Sequence, residues 1–378
     1  MKKILAIAVL LPCSILAETP AERAIAQARQ MIDKNPRQPE AFNALAIALT
    51  RRARENSDVS FYAQAEEAVR TSLALAPDNF GALRARTWIL LGKHEFAEAQ
   101  AVAKALNKRM PDDVLVYGFL VDANVELGNY SEAEKACNWM LKVRPGNVPA
   151  LTRAAYLREL FGDIEGALDL MARAYQATGV SESEDRAWML TQMAHLKLLS
   201  GQTAAAEKLL EQALALFPNY HYARAGLAKV RSAQKRYAEA VELLRARYQA
   251  APHPENLYDL AEGLAAAGRK QEALEAFAGF ETKSLAESGK ADNSNRELIF
   301  YYADHAHQPE KALEIAGQEY ARRRDVYTLD AYAWALHVNG RDAEASKQIE
   351  AALAVGVRDP AILTHAGAIG PRVAAAGI

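Results

Sequence analysis

His94 and Glu95 are the first residues of this 378-residue sequence whose types and spacing could hold a metal ion and act on a substrate. His94-Glu95 begins like the HExxH motif of zinc proteases, in which two histidines four residues apart bind the metal from one face of a helix. Here Glu98 occupies the second histidine position. The motif is incomplete and predicts no zinc site.

A second candidate comprises Asp304, His305 and His307, the only histidine cluster in the sequence. Residues two apart on an α-helix point about 200° away from each other, so the two imidazoles could chelate one ion only from a loop. We interpret the cluster as a solvated helix end, and we predict no metal ion and no cofactor. A metal-dependent or catalytic protein, with these three residues as its only candidates, stays an alternative.

The sequence gives little support for nucleophilic or acid–base catalysis. Cys137 lies in a helical apolar pattern with Ala133 and Met140, where a free thiol usually packs as a small hydrophobic residue. The sequence contains no glycine-rich phosphate loop, no GxSxG motif and no pair of acids in an apolar setting. We therefore predict no catalytic residues and no enzymatic activity.

The amino-acid composition and the net charge exclude further classes of protein. Apolar residues make up 51% of the chain and charged residues 24%, which is typical of a well-packed soluble protein and argues against disorder. The formal net charge is −2. A nucleic-acid partner would favour a basic surface, so we expect none.

The first residues have the pattern of a secretory leader. Lys2 and Lys3 precede a short apolar run, and Ala17 offers a small residue for cleavage. We predict a signal peptide over residues 1–17 and a periplasmic or secreted protein. The run is too short to span a bilayer, which needs about 20 residues. The alternative is a lipid anchor at Cys13, although Pro12 fits a lipoprotein signal poorly.

The dominant feature of the sequence is a repeat of 33 or 34 residues, anchored on an alanine and lengthened at three places. In five copies a glycine stands five residues before the alanine, where it can end one helix in a left-handed conformation. A second apolar residue follows four positions after most anchors, on the same helical face. No period-two run of β-branched residues interrupts the pattern, so we predict an all-α fold. The anchors are Ala24, Ala65, Ala99, Ala133, Ala167, Ala206, Ala240, Ala273, Ala312 and Ala345.

A 34-residue period of helix, turn and helix, often with a proline twelve residues after the anchor, resembles the tetratricopeptide repeat (TPR) family over residues 18–378. The resemblance implies a right-handed superhelical solenoid of stacked antiparallel helix pairs. We expect a half repeat at 19–36, with Ala24, Ala28 and Met31 on its apolar face. Full repeats follow at about 37–357, with a capping helix at about 358–378.

Three insertions lengthen the repeat, at residues 51–60, 178–185 and 281–295. The repeat resumes in register after each, so we interpret them as connectors rather than domain boundaries. Ile299-Phe300 and Glu319 break the pattern after the last insertion, and we expect the superhelix to change its geometry there.

In TPR proteins the first helices of successive repeats line a concave groove that holds a peptide or partner segment. The resemblance therefore implies a groove that mixes aromatic anchors with single charges. Its candidate residues are Asp122, Arg153, Tyr156, His195, Lys229, Tyr258, Asp259, Glu262, Tyr301, Asp330 and Trp334.

The function that follows is a non-catalytic scaffold, exported to the cell envelope, which binds a protein or peptide of unknown identity. Thr152 and Tyr156 stand where chaperone-binding TPR domains carry Lys and Asn, so a carboxylate-tail ligand of that kind is not expected. A self-assembling structural protein is a further alternative.

Overall fold

The computed structural model describes residues 18–290 and 293–370, and this part of the chain is all-helical. The predicted signal peptide, Cys13 and the last eight residues of the predicted cap lie outside the described residues. The helices are α1 (Pro20–Lys34), α2 (Pro39–Asn56), α3 (Ser60–Leu75), α4 (Phe80–Gly92), α5 (Phe96–Arg109), α6 (Val114–Glu126), α7 (Tyr130–Val143), α8 (Val148–Leu160), α9 (Ile164–Ala177), α10 (Ser183–Leu199), α11 (Thr203–Leu216), α12 (His221–Ala233), α13 (Tyr237–Ala250), α14 (Pro254–Ala266), α15 (Lys270–Glu287), α16 (Asn295–Phe300), α17 (Pro309–Arg322), α18 (Val326–Val338), α19 (Asp342–Leu353) and α20 (Pro360–Ile369).

Within these described ranges α1 precedes nine helix pairs, from α2–α3 to α18–α19, and α20 packs on α18 and α19. Each helix packs chiefly on its neighbours in sequence, as a solenoid requires. The all-α solenoid predicted from the repeat is confirmed. None of the described helices is both long and apolar enough to cross a bilayer.

Small residues bring the two helices of each pair together. Nine of the ten predicted anchors, from Ala65 to Ala345, are buried. Their methyl groups let the neighbouring helix approach at interior packing density. The half repeat differs from the prediction, since Ala24 is only half-buried and Met31 is exposed. Helix α1 instead buries Ala21 and Ile25 beside Ala28.

Five glycines end their first helices in the left-handed region, as predicted. In the other four pairs a residue with a side chain takes this conformation instead: Ser57 with φ of 54°, His94 with φ of 60°, Lys235 with φ of 60° and His307 with φ of 51°. Such a conformation is costly for residues other than glycine.

The insertions at 51–60 and 178–185 extend first helices. Helix α2 has 18 residues and α10 has 17, against 13 in α4, α6, α8, α12, α14 and α18. The third insertion extends a second helix, α15, to 18 residues. After it the chain forms a π-helical turn at Tyr301–His305, and the expected change of superhelix geometry there stays a prediction.

The superhelix winds until late pairs touch early ones, and we call these contacts the inter-turn seam. Arg51 and Arg54 at the end of α2 bind Glu182, Glu184 and Asp185 at the start of α10. The C-terminal end of α6 contacts the segment before α18, and that of α8 contacts the segment before α20. The N–H of Arg324 donates to the Glu126 carbonyl at 2.9 Å, and the N–H of Val326 donates to the Tyr130 hydroxyl at 2.9 Å.

The seam therefore sets C-terminal ends of early first helices against N-terminal ends of late ones. Between α6 and α18, a carbonyl at a helix end accepts from an N–H that lies just before a helix start, and the facing helix dipoles favour this contact. The sequence reading did not include these contacts.

Candidate binding row and inter-turn cavity

The predicted groove residues lie on first helices, and their charged members are mostly paired with neighbours. Arg153 on α8 contacts Asp122 on α6, with 2.5 Å between Nη2 and Oδ2, and its Nε donates to the Gly118 carbonyl at 3.0 Å. His195 on α10 lies 3.0 Å from a Glu159 carboxylate oxygen on α8. Each contact joins consecutive first helices, so the side chains form a cross-linked polar row.

One predicted groove residue is buried by the chain itself, and another is partly covered. Tyr156 is half-buried and packs against the core cluster that joins α6–α8 to α18–α20. Burial, with the nearby Glu126 carboxylate, raises the pKa of its hydroxyl. Asp330 is buried on α18, where His365 on α20 binds it at 2.9 Å. Asp330 is therefore closed to a partner, while part of the Tyr156 side chain stays exposed.

The middle of the row is more accessible. Lys229 on α12 is exposed, and it has no ion-pair partner within the part of the chain described. Asp259 on α14 pairs with Arg247, a buried arginine on α13. Burial raises the pKa of Asp259 despite that arginine.

An aromatic cluster closes the C-terminal end of the row. Tyr258 lies against Phe277, and Tyr301 stacks on that same ring with centroids 5.6 Å apart. His305 binds Glu262, and this bond raises the pKa of the imidazole.

Trp334 on α18 completes this end of the row. Its indole N–H donates to Asp304 at 2.9 Å, and its ring stacks on His365 with centroids 4.4 Å apart. The π-helical turn thus directs Asp304 and His305 to different partners. Over residues 18–290 and 293–370, no group of three or more His, Cys, Asp or Glu side chains has the geometry to hold a metal ion.

The inter-turn seam borders a partly enclosed cavity of about 260 Å³, which we call the inter-turn cavity. Its walls come from the first two and the sixth to eighth pairs of helices and their connections, and sequence reasoning did not predict it. Only the insertions at 51–60 and 281–295, which contribute to its wall, signalled the region. The lining residues are Thr50, Ala53, Arg54, Ser57, Val59, Tyr62, Trp88, Gly92, His94, Tyr222, His253, Glu255, Asn293, Arg296, Glu297 and Arg323.

The electrostatics of this cavity are strongly perturbed. Burial, with Arg323 and Arg296 nearby, lowers the pKa of His94 to about 3, so its imidazole is neutral at pH 7. Burial, with the Glu255 carboxylate nearby, raises the pKa of Glu297 to about 7. Cationic and acidic groups thus share one partly enclosed space.

Comparison with known proteins agrees with this architecture. Residues 197–255 match the family model described as Tetratricopeptide repeat. No curated protein sequence matches the chain. Among solved structures, the APC/C hetero-tetramer Cut9-Hcn1 is similar over 94% of this chain, with a TM-score of 0.54 and 13% identity. This chain covers 61% of the length of that one.

Human IFIT1, solved as a dimer with m7Gppp-AAAA, has a TM-score of 0.55 and 14% identity, over 88% of this chain and 85% of that one. At such identities the likeness is one of fold. The chain is therefore an all-α helical solenoid that carries tetratricopeptide repeat sequence over residues 197–255.

Proposed function

We propose that this chain is an exported, non-catalytic scaffold that binds a protein or peptide on the polar and aromatic row of its first helices. The repeat sequence and the fold indicate a protein-interaction scaffold. The predicted leader over residues 1–17, outside the described residues, supports export to the periplasm or medium. A lipid anchor at Cys13 remains the alternative form of the same proposal.

The observation that carries the proposal is the cross-linking within the row. Arg153, His195, Glu262 and Trp334 are each held by a neighbouring helix. Side chains that are fixed before a partner arrives lose little rotamer freedom when it binds. Aromatic side chains add contact area at low entropic cost.

The partner-binding stretch in this proposal runs over α12, α14, α16 and α18, from Lys229 to Trp334. Asp330 is buried and contributes through the fold, and the half-buried Tyr156 lies on α8, outside this stretch. Packed helices stand about 10 Å apart, so four of them span roughly 30 Å, which matches about nine residues of extended chain. The accessible carboxylates of Glu262 and Asp304 favour a segment with a basic side chain.

The two structural relatives have different partners. Cut9-Hcn1 is an assembly of proteins, the type of partner we propose here. IFIT1 was solved with m7Gppp-AAAA. The net charge of −2 and the acidic end of the row give no support for carrying that ligand over to this chain.

Site-specific photo-crosslinking in the source cells tests the proposal. A photoreactive residue at Lys229 should capture a defined protein, while one at Lys347, exposed on the second helix α19, should not capture it. With the captured protein purified, Trp334→Ala should weaken binding about 30-fold or more, the loss typical of an aromatic anchor. Capture at Lys347 only, or wild-type affinity in Trp334→Ala, would contradict the proposed row.

A further inference from the structure

The inter-turn cavity is built largely by parts of the chain that a regular repeat does not need. Arg54 and Ser57 belong to the insertion at 51–60, and Asn293 belongs to the insertion at 281–295. A repeat array stacks without such additions. Two insertions far apart in sequence thus meet around one space.

Several polar groups on the cavity wall lack hydrogen-bond partners within the described part of the chain. They are Nε of Arg54, Nε of Arg323 and Nδ1 of His94, all buried atoms. The Arg323 side chain is only 5% exposed. Its Nε lies 3.4 Å from a Glu319 oxygen, outside hydrogen-bonding geometry. Leaving such groups unsatisfied is costly and calls for an explanation such as a bound molecule.

His94 brings a strained backbone to the cavity wall. It holds the left-handed conformation that glycine takes in five other pairs. Strained backbone of this kind clusters at ligand sites, where the surrounding structure maintains it. A glycine here would relieve the backbone but would remove the imidazole from the cavity.

The wall also presents acceptors. Glu255 and Glu297 line the cavity, and Glu297 makes no ion pair within 4 Å among the described residues. Glu255 lies 3.6 Å from Arg247, outside the cavity lining. Ionised carboxylates only accept hydrogen bonds, while guanidinium groups only donate them. The rings of Trp88 and Tyr222 provide apolar surface between these polar groups.

We propose that the inter-turn cavity binds a small zwitterion of the α-amino-acid class, with its carboxylate toward Arg323 and Arg296 and its ammonium toward Glu255 and Glu297. A ligand with a single negative charge would leave Glu297 without a cationic partner, and one with a single positive charge would leave the Nε of Arg323 without an acceptor. The side chain of the amino acid, apolar and of medium size, contacts Trp88.

The size of the cavity agrees with this class. Liquid water occupies about 30 Å³ per molecule, so 260 Å³ has room for roughly nine waters or a ligand of about ten non-hydrogen atoms. The site does not depend on a partner in the row of first helices. Because both halves of the superhelix wall it, an occupied cavity stabilises the closed seam.

Thermal unfolding with each of the twenty L-amino acids, added singly at millimolar concentration, is the first test. At least one should raise Tm, and its affinity follows from calorimetry. The N-acetyl form of that amino acid lacks the ammonium, and its amide lacks the carboxylate. Each should bind about tenfold or more weakly, because a buried charge on the wall is left unpaired.

Variants then place the ligand in the cavity. Glu297→Gln keeps the shape of the side chain and removes its charge, and it should weaken binding about tenfold or more. Glu211→Gln, on the exposed face of α11, is the matched control and should bind as wild type does. The blocked ligands test the same chemistry on the unaltered protein, so the result does not depend on how a variant folds.

Three outcomes would overturn the proposal. They are no shift with any amino acid, equal binding of the N-acetyl form, which would identify a simple anion site, and wild-type binding by a folded Glu297→Gln.

Discussion

Glu126, the last residue of α6, has an environment that its position in sequence does not reveal. Its carboxylate lies 3.8 Å from Arg323 across the seam, and its main-chain carbonyl accepts from Arg324. Burial and the nearby Asp325 carboxylate raise its pKa to about 7, with Arg323 and Arg296 acting in the opposite direction and Asp122 in the same one. The protonation state of this one glutamate therefore affects the stability of the seam.

This coupling predicts the behaviour of Glu126→Gln. A carboxyl group with a pKa near 7 in the folded state and about 4.3 in the unfolded state stabilises the fold only while protonated. That contribution is complete below about pH 4.3 and is lost as pH rises to about 7. The variant should therefore gain stability relative to wild type between pH 5 and pH 8, by on the order of 1–3 kcal/mol.

Urea unfolding at the two pH values measures the gain, with Glu211→Gln as an exposed control that should show no such trend. A constant difference between Glu126→Gln and wild type across this range would contradict the raised pKa.

At the scale of helices, the sequence predicts the pairs well and the contacts between distant pairs poorly. Alanine spacing located nine of the ten anchors, because that packing is set within one repeat. The prediction is wrong for Ala24 in α1, because no complete partner repeat fixes the register there. The contact between Arg54 and Glu184 spans 130 residues, and it depends on the winding of the whole superhelix, which no local pattern encodes.

The same limit applies to the binding row. The resemblance predicts that its residues lie on first helices, but it does not predict that His365 binds a buried Asp330 or that His305 binds Glu262. Because the repeat resumes after each insertion, the sequence predicts that the insertions are connectors. In the structure, two of them extend α2 and α10 by about one turn and so bring their charges together.

The α2–α10 ion pairs yield a prediction about these two helices. Glu184 is fully buried, where it binds Arg54 and accepts from the Tyr220 hydroxyl at 2.8 Å. Arg54 is 35% exposed, but its removal leaves the buried Glu184 carboxylate without this cation, so Arg54→Gln should destabilise the protein by about 1–3 kcal/mol.

Arg70→Gln is the control, since Arg70 is 72% exposed in its pair with Glu67 and should change stability by less than about 1 kcal/mol. Urea midpoints give both values. Equal effects of the two substitutions would show that α2 and α10 are not joined in solution.

At the scale of the whole molecule, the closed turn distinguishes this chain from an open solenoid. Gly162 has φ of +80°, and a Cβ atom there would stand 2.6 Å from the Gly356 carbonyl oxygen on the other side of the seam. Gly201 holds the equivalent place in the next pair, with φ of +70°, and a Cβ atom there would meet nothing within 4 Å. The two glycines share one backbone conformation and differ in what faces them.

Substituting alanine at each of these two positions therefore distinguishes the cost of local backbone strain from the cost of forcing the seam apart. Each substitution costs about 1–2 kcal/mol, because a side chain resists the left-handed conformation. Only Gly162→Ala also forces backbone apart across the seam, so it should cost more than Gly201→Ala and should increase the radius of gyration in small-angle X-ray scattering. Hydrogen exchange should become faster at the ends of α8 and α20 in Gly162→Ala alone. If both variants keep the wild-type radius and lose the same stability, the turn is open in solution and the inter-turn cavity does not form there.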